Sequence, residues 1–340
     1  MSDQDLPDRP ASRHGVTADW KTLDGRLTMA AIARRYYLDN RTRVQLAEEF
    51  GISRFKVARI LESAIAHGVV KIDISVADSV DADLSLRVQD KFGLDRALIS
   101  TPRSGSPEDV RDALGETGAE LLAELVTADD VLGLASGRTI DALSAHLTRL
   151  APCTALQLTG MSDDLAVNPV HVLRRVAELT GGQALSIFAP LTVGSAETAR
   201  SLRSDPSIRS AFNRFADVTI AVTSVGSWDP PDSRFYNGIS EAEREELLIK
   251  DVAADVAGGL LDSTGKTIPD FDDRMLGIGV EGLQKVDQVI MVGGGERKAG
   301  AILAALRSGV VTTLVTDATV AVALLAKEST VGRAPRPRST

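Results

Sequence analysis

A single cysteine, Cys153, stands in a chain of 340 residues, so an internal disulfide is excluded and the composition fits a reducing cytoplasm. No histidine lies near it in sequence, which favours a buried structural thiol over a nucleophile. Histidine is scarce too: His14, His67, His146 and His171 show no metal-ligand spacing, and neither a zinc site nor any other metal centre is expected. No apolar run reaches the length of a membrane span, so no membrane partner is expected. The opening MSDQDLPDRPASRHG lacks the apolar core of a secretory leader. Residues 1–25 and 329–340 read as disordered tails. No Ser-His-Asp or Cys-His order emerges and no P-loop occurs, so no catalytic residue and no cofactor are assigned.

What is present divides the chain by charge. Between Arg26 and Lys71 nine Lys/Arg face four Asp/Glu, a surplus of five, whereas the whole chain stands at −9. A basic island in an acidic protein points to a polyanion partner for that island alone. Inside it, VQLAEEFGISRFKVARIL (44–61) places Leu46, Ala47, Gly51, Ile52, Val57 and Ile60 at helix-turn-helix spacing. A small residue sits where two helices approach, a glycine at the turn, and apolar residues on the inner face of the second helix. Ser53 precedes that helix as a cap. Arg54, Lys56 and Arg59 fall on the remaining face, which could enter a major groove, and Arg41 and Arg43, placed before the first motif helix, are assigned to phosphates of double-stranded DNA. An ordinary helical hairpin with a solvated basic face is the competing reading. An upstream helix over Arg26 to Asp39 and a strand over Val69 to Ile74 complete a winged helix-turn-helix domain, residues 26–75.

Residues 76–90 read as a linker running into a helix, and 91–328 as a second domain of alternating strands and helices. The strands are Arg96–Ser100, Val131–Ala135, Leu156–Leu158, Ala184–Phe188, Val218–Val222, Asp287–Val292 and Val311–Val315. Short continuous apolar strands separated by helices imply an α/β fold with a mostly parallel, Rossmann-like sheet covered on both faces. Ligands bind such sheets beyond the carboxyl ends of strands. One such end, Ser136-Gly137-Arg138-Thr139, is either an anion site at a helix start or a plain strand-to-helix turn. Another, Gly293-Gly294-Gly295-Glu296-Arg297-Lys298, puts two cations in the first turn of a helix over Arg297 to Leu306, where the dipole disfavours them unless an anion is bound, the alternative being a Lys298 that faces solvent. At a third, Asp317 is expected to cap the last helix rather than touch a ligand.

The order and spacing of several motifs resemble the SorC family of sugar-binding bacterial transcription regulators, from about Arg26 to Leu325. They are Val57-Ala58-Arg59-Ile60-Leu61, Gly137-Arg138-Thr139, Ala189-Pro190-Leu191, Asp262 to Gly265, Asp273 to Ile278, and Gly294 to Ile302. The resemblance implies a C-terminal domain similar to ribose-5-phosphate isomerase and glucosamine-6-phosphate deaminase, without their activity. It implies a sugar, polyol or sugar-phosphate effector and a homodimer or homotetramer on operator DNA, controlling a carbohydrate-catabolic operon. Carried onto this sequence, the effector site comprises Ser136, Gly137, Arg138, Thr139, Gly160, Asp255, Gly294, Gly295 and Lys298. The alternative is a sugar-phosphate isomerase or deaminase-like enzyme with a fused DNA-binding segment.

Overall fold

The computed structural model describes residues 18–71, 79–161 and 169–327. The chain forms two compact units that divide between Ile74 and Ser75. No helix among the described residues is long and apolar enough to cross a membrane.

The N-terminal unit holds three helices: α1 (Leu23–Tyr37), α2 (Arg43–Phe50) and α3 (Arg54–Ala66). Their boundaries follow from local chemistry. Thr42 and Gln45 form a reciprocal capping box at the start of α2. Gly51 ends that helix at φ 63°, a conformation open to glycine without a Cβ penalty, and the chain turns there into α3. Met29, Ile32, Ala33, Leu46, Val57, Ile60, Leu61 and Ala64 meet in one core. Each fully buried large aliphatic there contributes about 1.5–3 kcal/mol. The expected strand from Val69 to Ile74 does not begin as one. Val69 to Lys71 is irregular, with the Val70 N–H donating to the Ala64 carbonyl and so closing the end of α3. The rest of that expected strand lies outside the described residues.

The C-terminal unit opens with α4 (Ala82–Phe92), β1 (Arg96–Ser100), α5 (Pro107–Leu125), β2 (Val131–Leu134), α6 (Arg138–His146), β3 (Thr154–Gln157), α7 (Pro169–Thr180) and β4 (Ala184–Leu185). Helices α8 (Ala196–Ser204) and α9 (Pro206–Asn213) lead to β5 (Ile220–Thr223). One residue later the chain enters a second sheet through β6 (Val225–Trp228) and β7 (Pro231–Asp232). It continues through α10 (Arg234–Gly238), α11 (Glu241–Ile249), β8 (Val252–Val256), β9 (Gly259–Asp262), β10 (Thr267–Ile268) and α12 (Gly279–Leu283). It then returns to the first sheet with β11 (Gln288–Val292), α13 (Ala299–Arg307), β12 (Thr313–Asp317) and α14 (Ala318–Ala326).

Seven strands form the main sheet in the order β1-β12-β11-β5-β2-β3-β4, and every pair is parallel. Alternate residues on each strand feed two apolar layers. Leu132, Leu134, Ile220, Val222, Ile290 and Val292 join α5, α6 and α7 on one face. Val131, Ala221, Val289, Met291 and Leu314 join α4, α13 and α14 on the other. Burial on both faces is why these strands read as continuous apolar runs. From β2 the chain steps outward through β3 and β4, whereas β5 leads the opposite way to β11, β12 and β1. Beyond the adjacent ends of β2 and β5 the order reverses, and a crevice opens there.

The second sheet, β10-β9-β8-β6-β7, is antiparallel throughout. Sequence patterning does not anticipate it, because its strands run only two to five residues, too short to carry a periodic signal. Its importance is positional: with only Ser224 between β5 and β6, it rises directly over the crevice.

Candidate functional site

In the N-terminal unit the buried stripe of α3 leaves Arg54, Lys56 and Arg59 exposed, as the spacing predicts. Ser53 is exposed as well, and its hydroxyl accepts the Lys56 N–H at 3.2 Å, which caps the helix. Arg41 is exposed before α2, and its N–H donates to the Arg35 carbonyl at 2.9 Å. Arg43 is the first residue of α2 rather than a residue preceding it, with its guanidinium 5.7 Å from the centre of the Tyr36 ring. The unit therefore presents a cationic helix face beside a cationic helix start.

In the C-terminal unit a cavity of about 580 Å³ lies at the carboxyl ends of β2, β5 and β11, under β6 to β8. Its floor includes the start of α6. Gly137 occupies the cap position there and offers no side chain to the first N–H groups of the helix, so these donors point at the cavity unclaimed by any cap. Thr139, in the first turn, is buried at the cavity edge. Ser136 bonds Thr159 through both its N–H, at 3.3 Å, and its hydroxyl, at 3.1 Å, which fixes the turn that delivers Gly137.

Charges of both signs converge from the other walls. The Lys298 ammonium donates to the Val225 carbonyl at 2.8 Å and lies 3.7 Å from Asp232 Oδ2. The other oxygen of Asp232 receives Arg138. Asp232 thus bridges the two cations assigned to the effector. Burial pulls the Lys298 ammonium below its ordinary pKa, opposed by Asp232 and Asp255. Asp255 on β8 accepts from the Trp228 indole N–H at 3.1 Å and from Ser233. Burial pushes its carboxyl up, against those hydrogen bonds and Lys298. Gly226 pairs with Asp255 across β6 and β8, and a Cβ there would fall 2.2 Å from the carboxylate. Only glycine lets this acid fold across the strand into the cavity.

The glycine loop is tied from outside the cavity. Gly295 N–H donates to Asp317 Oδ2 at 2.6 Å, while Asp317 Oδ1 accepts from Thr319 and Val320 at the start of α14. Asp317 caps that helix, as expected, and also holds the loop. Arg297 and Lys298 do not occupy the first turn of an α-helix: Glu296–Lys298 is a 3-10 turn, and α13 starts at Ala299. Lys298 is the cap residue of α13, still at the positive end of the helix dipole, and Asp232 already supplies it with a counter-charge.

Ser136, Gly137, Arg138, Thr139, Asp255, Gly294, Gly295 and Lys298 all line this one cavity. Gly160 does not: it packs against the backbone of Ala189 and Pro190, and the preceding Thr159 lines the wall instead. Asp232, Arg111, Ser224 and Asn237 also face the cavity without having been singled out. Asp232 sits in a Pro-Pro-Asp segment with no periodic signal, and only its fold-back along β6 brings it to Arg138. Cys153 is buried, and burial with the nearby Asp130 charge pushes its thiol up to about 11, as befits an inert structural thiol.

Residues 79–326 match the family described as "Putative sugar-binding domain". The transcriptional regulator YjhU of Escherichia coli K12, itself described as uncharacterized, is 31% identical over 306 residues, covering 86% of this chain and 92% of that protein. The transcriptional regulator LsrR of Enterobacter sp. strain 638 is 29% identical over 304 residues, covering 88% and 92%. Among solved structures, the full-length sorbitol operon regulator SorC from Klebsiella pneumoniae superposes with a TM-score of 0.66 at 22% identity, over 89% of this chain and 99% of that one.

Proposed function

The chain belongs to the SorC-type family of transcriptional regulators that carry a sugar-binding domain, and from that premise we propose how its two units divide the work. Relatives that share most of its length are named regulators, so the isomerase or deaminase alternative gives way. Residues 26–75 form the DNA-binding domain, of winged helix-turn-helix type, with Arg54, Lys56 and Arg59 in the major groove and Arg41, Arg43 and Ser53 on phosphates. Residues 91–328 form the effector domain, a sugar-phosphate isomerase-like sheet stripped of turnover. It binds a sugar, polyol or sugar phosphate and joins copies of the chain into a dimer or tetramer in the cytoplasm. The effector shifts the population between arrangements of that oligomer, only one of which matches the operator half-sites.

One observation carries the reading of the cavity: an uncapped helix start, two cations and a half-buried carboxylate converge at the point where the strand order reverses. N–H groups and Lys298 suit a phosphate or a ring of hydroxyls, and Asp255 suits hydroxyl donors. A thermal-shift screen of the full chain against sugars, polyols and their phosphates tests it, since a ligand of the folded state raises the melting temperature by mass action. We expect a hit, and the hit should change the affinity for duplex DNA. A ligand that is converted to product, or a hit whose effect survives Lys298→Ala, overturns the assignment.

A further inference from the structure

We infer that Phe55 is a base-reading residue of α3, whose ring selects the 5-methyl group of a thymine in the major groove. This rests on the DNA-binding role proposed above and adds to it a reader that bears no charge.

The argument begins with the helix itself. Val57, Ile60, Leu61 and Ala64 are the buried stripe of α3. At 3.6 residues per turn the centre of that stripe lies nearly opposite Phe55, so Phe55 occupies the middle of the outward face. The residue is 66% exposed. Arg59, one turn on, shares that face, and Arg54 and Lys56 flank it. The Arg54 guanidinium lies over the ring, 5.1 Å from its centre.

An exposed phenylalanine alone carries little meaning. Its setting decides the occupant. Cations surround it, so the surface that covers it must be polyanionic, which excludes an apolar protein face. It stands second in the helix, and the first turn of a recognition helix is the part that reaches base edges. Deep in the major groove the one apolar group a duplex offers is the thymine methyl, and Phe is among the side chains that contact it. The Arg54 fork beside the ring is then placed for the hydrogen-bonding edge of a neighbouring base pair. Arginine and lysine can bind any phosphate, but the ring discriminates a methyl from a hydrogen.

The test removes that methyl and nothing else. Full-length protein is used to select sequences from a random duplex pool. In the recovered site each thymine is replaced in turn by deoxyuridine, and wild type is compared with Phe55→Ala. Wild type should lose about fourfold in affinity at one thymine position per half-site, the worth of one buried methyl group. Phe55→Ala should show no loss there, and Phe55→Leu should restore part of it. Because the ring is exposed, the alanine variant should melt with wild type, which separates recognition from folding. Identical deoxyuridine penalties in both proteins would overturn the inference and leave DNA binding standing. So would a uniform loss of affinity accompanied by dissociation of copies in sedimentation, which would make Phe55 a contact between protomers. If wild type enriches no sequence, the DNA-binding reading falls and the inference with it.

Discussion

The two functional surfaces use cations in opposite ways. On α2 and α3, Arg43, Arg54 and Arg59 stand exposed, with the Arg43 and Arg54 guanidinium groups over the rings of Tyr36 and Phe55. In the cavity, Arg138 and Lys298 are already bridged by Asp232, and Lys298 is only 15% exposed. The first arrangement suits a large polyanion met from solution, because an unbalanced exposed charge acts over a Debye length. The second suits a small ligand that must compete with an internal carboxylate for each cation, so shape and hydrogen bonding outweigh net charge. One chain thereby separates affinity for a polymer from selectivity for a metabolite.

Ionic strength should break that comparison most strongly. For a protein touching roughly six to ten phosphates, duplex affinity falls about 10³- to 10⁵-fold between about 50 and about 200 mM salt. Ligand binding in the cavity should change less over the same range, because Arg138 and Lys298 are already paired with Asp232 and Lys298 is largely buried. Anisotropy titrations with labelled duplex and calorimetric titrations with the screened ligand measure the two slopes. Equal slopes would mean that the cavity, too, binds by unbalanced charge.

Next in size is Lys298→Ala. The change removes a charged donor that is held by Val225 and faces Asp232 and Asp255. Ligand affinity should fall roughly ten- to a hundredfold, the range for a hydrogen bond to a charged group. Affinity for duplex DNA without ligand should stay at the wild-type value. Loss of both in parallel would assign Lys298 to folding rather than to the ligand.

Which of these features were legible in sequence follows from how local their causes are. The helix pair was readable because Thr42, Gly51 and Ser53 act within one turn of their own position. The parallel strands were readable because burial on both faces imposes continuous apolar runs. Gly137, Thr139 and Lys298 stood out because each follows the end of such a strand. Asp232 and the second sheet were not readable, since their placement depends on the chain leaving β5 through Ser224 alone and on β6 then pairing antiparallel with β7 and β8. Gly160 was misplaced by one residue because tertiary bridges, from Thr159 to Gly277 and from Met161 to Pro190, turn Thr159 inward and pack Gly160 against Ala189 and Pro190. Phe55 was passed over because a lone outward phenylalanine reads as incidental until its exposure and the Arg54 guanidinium over its ring are seen.

Asp255→Asn sharpens the contrast from the side of stability. The folded-state pKa of Asp255 is raised above its ordinary 3.8, chiefly by burial. The fold therefore prefers the neutral carboxyl. Stability from that preference is fully present below pH 3.8 and is lost as pH rises through the folded pKa. An amide never ionises and can still accept from Trp228. The variant should therefore melt at or above wild type at pH 7, with the advantage vanishing as pH falls towards 3.8, while ligand binding weakens. A variant that melts lower at neutral pH would show that attraction to Lys298 outweighs burial. Melting curves across pH decide between the two.

The smallest effect separates two roles of Ser53. Its hydroxyl accepts the Lys56 N–H, and it also stands exposed at the start of the helix assigned to the groove. Ser53→Ala removes the cap and should cost about 1 kcal/mol, read as faster hydrogen exchange of the α3 amides. If the same hydroxyl also bonds a phosphate, duplex affinity falls roughly tenfold, the low end for a hydrogen bond to an anionic group. Ser53→Asp distinguishes these contributions. A carboxylate caps as well as a hydroxyl and favours the positive end of the helix dipole, so protection of α3 should return to the wild-type level. Beside a phosphate the same charge repels, so duplex affinity should fall below that of the alanine variant. Recovery of both exchange protection and DNA binding in Ser53→Asp would remove Ser53 from the interface and leave it as a helix cap alone.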